Sequence, residues 1–188
     1  KINSLVELFF TKYKELNSSS NKPFLKWLKD NKKNYITWKQ VETNIQILSE
    51  YLRKILSKGD RCILLSENRP EWLISDIAIM NTGGVTVPLF TTYSEKDYEY
   101  IINDCNPKIC IVSNNIQLKK IDKFISDKIK VLSIENINDQ IDSIESILER
   151  FSEEKTLNHL SFNQNIGRKD LACICLLYTS DAADDVHR

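Results

Sequence analysis

Between residues 61 and 134 the chain repeats one pattern, an apolar run of strand length followed by a stretch with helical spacing. The runs are "RCILL" (Arg61–Leu65), "VTVPL" (Val85–Leu89), "ICIV" (Ile109–Val112) and "KVLSI" (130–134). None alternates apolar with polar residues, and continuous apolar strands are those covered on both faces. Parallel strands need crossover connections, and a helix between each pair supplies them. Pro70 suits the first turn of a helix to about Met80, which Gly83 and Gly84 then end. Ser94 and Asp97 have capping-box spacing for a helix to about Asp104. "IQLKKIDKFISD" and "DQIDSIESILERF" read as amphipathic helices. The pattern predicts an α/β fold, a layered parallel sheet with flanking helices.

The chain before Arg61 reads differently. "INSLVELFFTKYKEL" is a predicted helix with Ser4 and Glu7 at capping-box spacing and with Leu5, Leu8, Phe9 and Leu16 on one face. "PFLKWL" and "YIT" flank the polar "KDNKKN" as a hairpin. Thr37 and Gln40 open a second helix, which carries Val41, Ile45, Leu48, Leu52 and Ile55 on one face. Gly59 is placed to close that helix in a left-handed conformation. After the last helix a polar connection, "SEEKTLNHLSFNQNIGRKD", leads to a final strand at 171–174.

The 188 residues suit one domain or one lobe of a larger protein. Lys1 rather than Met leads the chain, so the natural start is left open. The 26 basic and 26 acidic residues cancel, which excludes the basic excess of a nucleic-acid binder. Neither a signal peptide nor an apolar run of membrane-spanning length is visible. Cys62, Cys105, Cys110, Cys173 and Cys175 include no C-x-x-C pair, and Cys62, Cys110 and Cys173 sit in apolar runs. They read as small buried thiols in a reducing cytosol rather than a zinc site.

Ligands of such folds bind beyond the carboxyl ends of the strands. The candidate loops are therefore "SENRPEW", "FTTYSEKD" and whatever follows Ile174. Glu67, Asn68, Arg69 and Glu71 are expected to cap and start a helix rather than touch substrate. Gly83 and Gly84 end a helix and let a strand pass close by. Trp38, Trp72 and Tyr93 read as core or rim packing. The lysines near Lys119, Lys120 and Lys123 read as a solvated helix face. His159 and His187 have no neighbouring acid, nucleophile or metal ligand in sequence, and neither receives a role.

Four stretches, in order, resemble the amino-terminal part of the adenylate-forming (AMP-binding) acyl-CoA synthetases. They are "YITWKQVETNIQILSEYL", "KGDRCILLSENRPEWLISDIAIM", "NTGGVTVPLFTTYS" and "DLACI". The resemblance covers most of residues 34–112 and returns at 170–174, and "SENRPEW" is most like the long-chain fatty acid–CoA ligases. It implies the amino-terminal part of the adenylate-forming fold, truncated before the phosphate loop. It also implies a parent that joins ATP and a fatty acid into an acyl-adenylate and pyrophosphate. The acyl group then passes to coenzyme A. ATP, Mg2+ and coenzyme A would serve the parent, and none is expected to bind this fragment. No catalytic or metal-binding residue is expected within it. The parent would be cytoplasmic, with no transmembrane segment and with peripheral membrane association left open. Two alternatives stand beside this reading: a relative acting on short-chain, aryl or amino acids, and a non-catalytic Rossmann-like binding module.

In the family the "DLACI"-type strand runs into a loop Y-T-S-G-T-T-G-x-P-K-G, whose hydroxyls, backbone N–H groups and lysine neutralise phosphate. Tyr178, Thr179 and Ser180 match its start, and would bind ATP phosphate only if this segment is native. Seven residues separate Asp170 from Tyr178, more than the family pattern has there. Asp181, Ala182, Ala183, Asp184 and Asp185 follow, not glycines and lysine. Each carboxylate beside a triphosphate would repel it by on the order of 1 kcal/mol per close pair even in water. "CLLYTSDAADD" instead resembles the translation of a transposon-type sequencing-library adapter. The reading is a partial amino-terminal AMP-binding domain over 1–174 and a non-native tail over 175–188. Resequencing the locus without that library chemistry is expected to replace "DAADD" with a glycine-rich continuation. An intact gene reading through "DAADD" would overturn this.

Overall fold

The structure is a computed structural model, described here over residues 2–16, 20–29, 31–153 and 165–175. Its elements are α1 (Leu5–Glu15), β1 (Pro23–Lys29), β2 (Lys32–Thr37), α2 (Trp38–Arg53), β3 (Arg61–Leu65) and α3 (Pro70–Thr82). They continue with β4 (Val85–Leu89), α4 (Glu95–Cys105), β5 (Ile109–Val112), α5 (Asn115–Ile121), β6 (Lys130–Ser133) and α6 (Ile144–Glu153). Strands β1 and β2 form an antiparallel hairpin. The other four form a parallel sheet in the order β4-β3-β5-β6.

The continuous apolar runs have the predicted consequence, since β3 and β5 are covered on both faces. Cys62, Leu64, Ile109 and Ile111 face a core shared with α1, α2, α3 and α6. Ile63, Leu65, Cys110 and Val112 face a second core shared with α4 and α5. Helix α2 packs through Val41, Ile45, Leu48 and Leu52, as its spacing predicts. Its end is tied to the far edge of the sheet, where Asp142 accepts from Tyr51 Oη (2.6 Å) and Lys130 Nζ (2.8 Å).

Local chemistry sets the helix ends. Thr37 and Gln40 form a reciprocal capping box on α2, and Ser94 and Asp97 do the same on α4. Ser4 Oγ accepts from Glu7 N at 3.0 Å, but the Glu7 carboxylate turns to Asn3 N (2.6 Å) rather than to the cap residue. Pro70 opens α3, and Gly83 ends it at φ 87°. The Gly83 and Gly84 N–H groups bond Met80 O (2.9 Å) and Ile79 O (3.1 Å), the paired closure of a Schellman motif.

The structure corrects five expectations about where elements begin, end and pack. Helix α1 buries Val6, Phe9 and Phe10, whereas Leu5 and Leu8 are 59% and 37% exposed. Phe9 sets that rotation by stacking on Trp38 at 5.7 Å and meeting Phe24 edge-on at 5.8 Å. Gly59 is left-handed (φ 85°) but does not close α2, which ends at Arg53 with Lys54 in a right-handed conformation. It serves the turn into β3, and its N–H bonds Gly83 O at 2.8 Å. Helix α5 stops at Ile121 and a single 3-10 turn, Asp122–Phe124, follows. Phe124, Ile125 and Ile129 pack on the second core there, and that docking overrides helix propensity. Helix α6 begins at Ile144, because Asn138 Oδ1 holds the N–H groups of Gln140 (2.9 Å) and Ile141 (3.0 Å) in a turn.

The fifth correction concerns the final strand. It is reduced to one parallel bridge, Thr86 with Cys173, framed by Thr86 N to Ala172 O (3.1 Å) and Ile174 N to Thr86 O (2.9 Å). The segment thus lies beside β4 at the edge of the sheet. Cys173 is exposed there rather than buried, because no described element covers that side. Lys58 Nζ fixes its start, reaching Asp170 Oδ2 (2.9 Å) and Asn165 O (3.1 Å).

A side chain at Gly83 would sit in a left-handed backbone and meet Lys58 Cβ and Cγ at 3.3 Å. Gly83→Ala is expected to destabilise the protein by about 1–2 kcal/mol. Gly167→Ala, with nothing within 4 Å of the added carbon, should change stability by less than about 0.5 kcal/mol. Urea unfolding of the two variants checks the contrast, and equal midpoints would refute it.

Candidate active-site cleft

Parallel strands bring their following loops to one edge. Here these are 66–69 after β3, 90–94 after β4, 113–114 after β5 and 134–137 after β6. Thr86 carries the segment 171–175 to the same edge beside β4. Between the first two loops lies a cleft of about 390 Å³, lined by Ser66, Glu67, Asn68, Trp72, the residues 88–92 and Cys175. Among the described residues its lining holds one carboxylate, Glu67, and neither lysine nor arginine.

The loop after β3 is not organised as a side-chain cap. Arg69 occupies the position before α3 in extended backbone (φ −154°) and makes no side-chain cap bond. Its guanidinium joins Glu71 (Nε to Oε2, 2.8 Å) and Glu135 (Nη1 to Oε1, 2.6 Å). Burial works against this charge, but the hydrogen bonds and charges of the two glutamates prevail and raise the Arg69 pKa. Glu67 accepts from Gln117 Nε2 at 2.6 Å. Burial would raise its carboxyl, but Ser113, its own backbone, Gln117 and the Arg69 charge outweigh burial and lower the pKa. Asn68 makes no hydrogen bond among the described residues and stands exposed at the cleft. Helix start and first turn thus fall where the sequence places them, at Arg69 and Glu71. The Glu67 and Arg69 side chains, however, reach distant elements.

The loop after β4 is held from beneath. Tyr98 Oη donates to Phe90 O (2.8 Å), and Tyr93 meets Phe90 edge-on at 5.3 Å. Lys120 Nζ donates to Thr91 O at 2.7 Å. Lys120 is therefore not on a purely solvated face, which corrects that expectation, and Lys123 pairs with Glu95. Lys119 is exposed as expected. Trp38 packs on Phe9 and Phe24, and Trp72 packs partly on the first core while lining the cleft. Gln117, Glu135 and Lys120 had no motif to mark them, since each acts on a partner far away in sequence.

Cys62, Cys105 and Cys110 are buried. Desolvation raises all three thiols, Cys105 to about 11, so they stay protonated near neutral pH. Among the described residues no group of three His, Cys, Asp or Glu could hold a metal ion. No helix among them is long and apolar enough to cross a membrane. Tyr178, Thr179, Ser180, His159 and His187 lie outside the described residues. The last described residue before the first three, Cys175, lines the cleft.

A family model described as "AMP-binding enzyme" matches residues 13–180. The chain belongs to the AMP-binding enzyme family. The matched range includes Tyr178, Thr179 and Ser180. Among curated relatives, this AMP-binding chain is 28% identical over 109 residues to a long-chain-fatty-acid–CoA ligase of Gallus gallus, covering 57% of this chain and 13% of that protein. It is 32% identical over 93 residues to fatty acyl-CoA synthetase A of Dictyostelium discoideum, covering 49% and 13%. It is 26% identical over 217 residues to long-chain-fatty-acid–CoA ligase 5 of Rattus norvegicus, covering 98% and 30%. The chain therefore spans less than a third of the length of these relatives.

Solved structures show the adenylate-forming ligase fold. A fatty acyl-adenylate ligase from L. pneumophila, in complex with acyl adenylate and pyrophosphate, superposes with a TM-score of 0.67 at 20% identity, covering 92% of this chain and 28% of that one. VinN superposes with a TM-score of 0.70 at 18% identity, covering 92% and 42%.

The depressed Glu67 carboxyl links the cleft to acid stability. Its contribution is present above the ordinary value of 4.5 and is lost as pH falls through the lower folded value. Glu67→Gln should therefore flatten the fall in stability between 4.5 and that lower folded value, as read by urea unfolding at stepped pH. An unchanged pH profile would count against the Glu67 contacts.

Proposed function

We propose that the full-length parent is a long-chain fatty acid–CoA ligase and that this chain is its amino-terminal part. The parent would convert ATP, fatty acid and coenzyme A to acyl-CoA, AMP and pyrophosphate through an acyl-adenylate. The observation that carries this reading is the segment 171–174. It is hydrogen-bonded beside β4, so whatever residue follows at position 175 meets the cleft. A phosphate loop following "DLACI" would emerge there. Support for long-chain substrates comes from the "SENRPEW" wording and from the names of the relatives above.

Acyl-adenylate formation brings a carboxylate against a triphosphate, and positive charge must offset their repulsion. The described cleft cannot supply it. Its one charged lining residue is Glu67, the Arg69 charge is engaged by two glutamates, and Lys120 Nζ is committed to a backbone carbonyl. The chain's own contribution is a half-apolar wall: Trp72, Pro88, Leu89 and Phe90 exclude water, and Ser66, Asn68, Thr91 and Thr92 offer hydrogen bonds. The cations would belong to a phosphate loop following residue 174 and to Mg2+ carried in with the triphosphate. Residues 1–174 then form a partial AMP-binding domain and 175–188 a foreign tail. Tyr178, Thr179 and Ser180 bind phosphate only if that tail is native. A cytoplasmic location belongs to the same reading.

Fatty-acid-dependent ATP–pyrophosphate exchange tests this. The 188-residue chain should show none above background, and the full-length gene product should show it with long-chain acids. Exchange by the chain itself overturns its inactivity. Exchange by the parent with only short-chain or aryl acids overturns the substrate class.

A further inference from the structure

The loop after β3 is fixed by two long-range bridges, beside the local bonds of Ser66 Oγ to Glu67 O (2.9 Å) and of Arg69 to Glu71. Glu67 is held by Gln117 of α5, 50 residues on. Arg69 is held by Glu135 beyond β6, 66 residues on, while its Nε engages Glu71. The Arg69 side chain is only 22% exposed, and its planar fork is used on two sides. Gln117 is buried, and its Oε1 finds no partner among the described residues. A buried bare carbonyl is unfavourable, yet the amide keeps its donor on Glu67.

The topology says what these bridges span. After β3 the chain turns into α3 on one face of the sheet, and after β5 into α5 on the other. β3 and β5 are neighbours, so the crevice between their carboxyl ends is the switch point, where doubly wound sheets bind ligands. Here the Glu67–Gln117 bridge crosses that crevice, and Arg69 reaches past β5 to Glu135. The open space lies on the other side of the same loop, in the cleft toward β4 and Cys175.

We infer that Arg69 and Gln117 are positioning residues, which close the switch-point crevice and hold residues 66–68 as one wall of the neighbouring nucleotide-side cleft. This rests on the ligase reading above. Neither residue touches the reacting atoms, and both act through Glu67 and Asn68.

The test uses the full-length protein with Arg69→Lys, Glu135→Gln and Gln117→Leu. Glu135, with a 46% exposed side chain, can be changed without disturbing the core. Each variant should speed amide hydrogen exchange at residues 66–69 by about tenfold, with exchange in β3 and β5 unchanged. Each should also raise KM for ATP or for coenzyme A, measured separately, by about fivefold, with kcat and the KM for fatty acid retained. Arg69→Lys combined with Glu135→Gln should add little to either alone. Faster loop exchange with both nucleotide KM values unmoved makes the bridges merely structural and overturns the inference. Wild-type exchange at 66–69 in Glu135→Gln and Gln117→Leu overturns it as well. A wild-type parent without ATP–pyrophosphate exchange defeats the ligase reading itself, a failure visible before any variant is made.

Discussion

Strand β3 is hydrogen-bonded on both edges, to β4 and to β5, and roofed on both faces by helices. Cys62, Ile63, Leu64 and Leu65 are fully buried. Burying each such aliphatic side chain contributes about 1.5–3 kcal/mol, and its backbone groups can be satisfied only by the two neighbouring strands. The placement of every loop at the functional edge follows from this one strand. Its register with Thr86 and Ile109 sets how far β4 and β5 project. Thr86 then fixes the segment that returns after Asn165.

Charge is distributed so that the cleft stays uncommitted. Three basic groups are used as fasteners: Arg69 between two carboxylates, Lys120 under the β4 loop and, at the opposite end of the sheet, Lys58 at the start of the returning segment. A wall built this way has fixed geometry and, among the described residues, one charge, the Glu67 carboxylate. Positive field must come from whatever chain or ligand enters from the Cys175 side.

Much of this architecture was legible in the residues. The four apolar runs fell on the four parallel strands with their bounds nearly unchanged, because full burial on two faces leaves only one composition. Thr37/Gln40, Ser94/Asp97, Pro70 and Gly83 marked helix ends correctly, since caps act over three or four residues. What escaped was decided over distance. The buried face of α1 depends on Phe9 meeting Trp38 and Phe24, and the early end of α5 depends on the second core. The roles of Arg69, Gln117 and Lys120 depend on partners that no local spacing reveals. The exposure of Cys173 reflects its place at the sheet edge, which an apolar run cannot show.

The segment 171–175 meets β4 through Thr86 and Cys173, a separation of roughly 90 residues. Closing so long a loop is unfavourable, and a single bridge does little to offset it. The four inner strands, joined by short crossovers, can assemble first. During synthesis from the amino terminus they would already be paired when Cys173 emerges. Until then the outer edge of β4 is an unoccupied slot that accepts any extended segment. Fidelity at that slot would rest on Lys58, which captures Asp170 and Asn165 and feeds the correct strand in from one end.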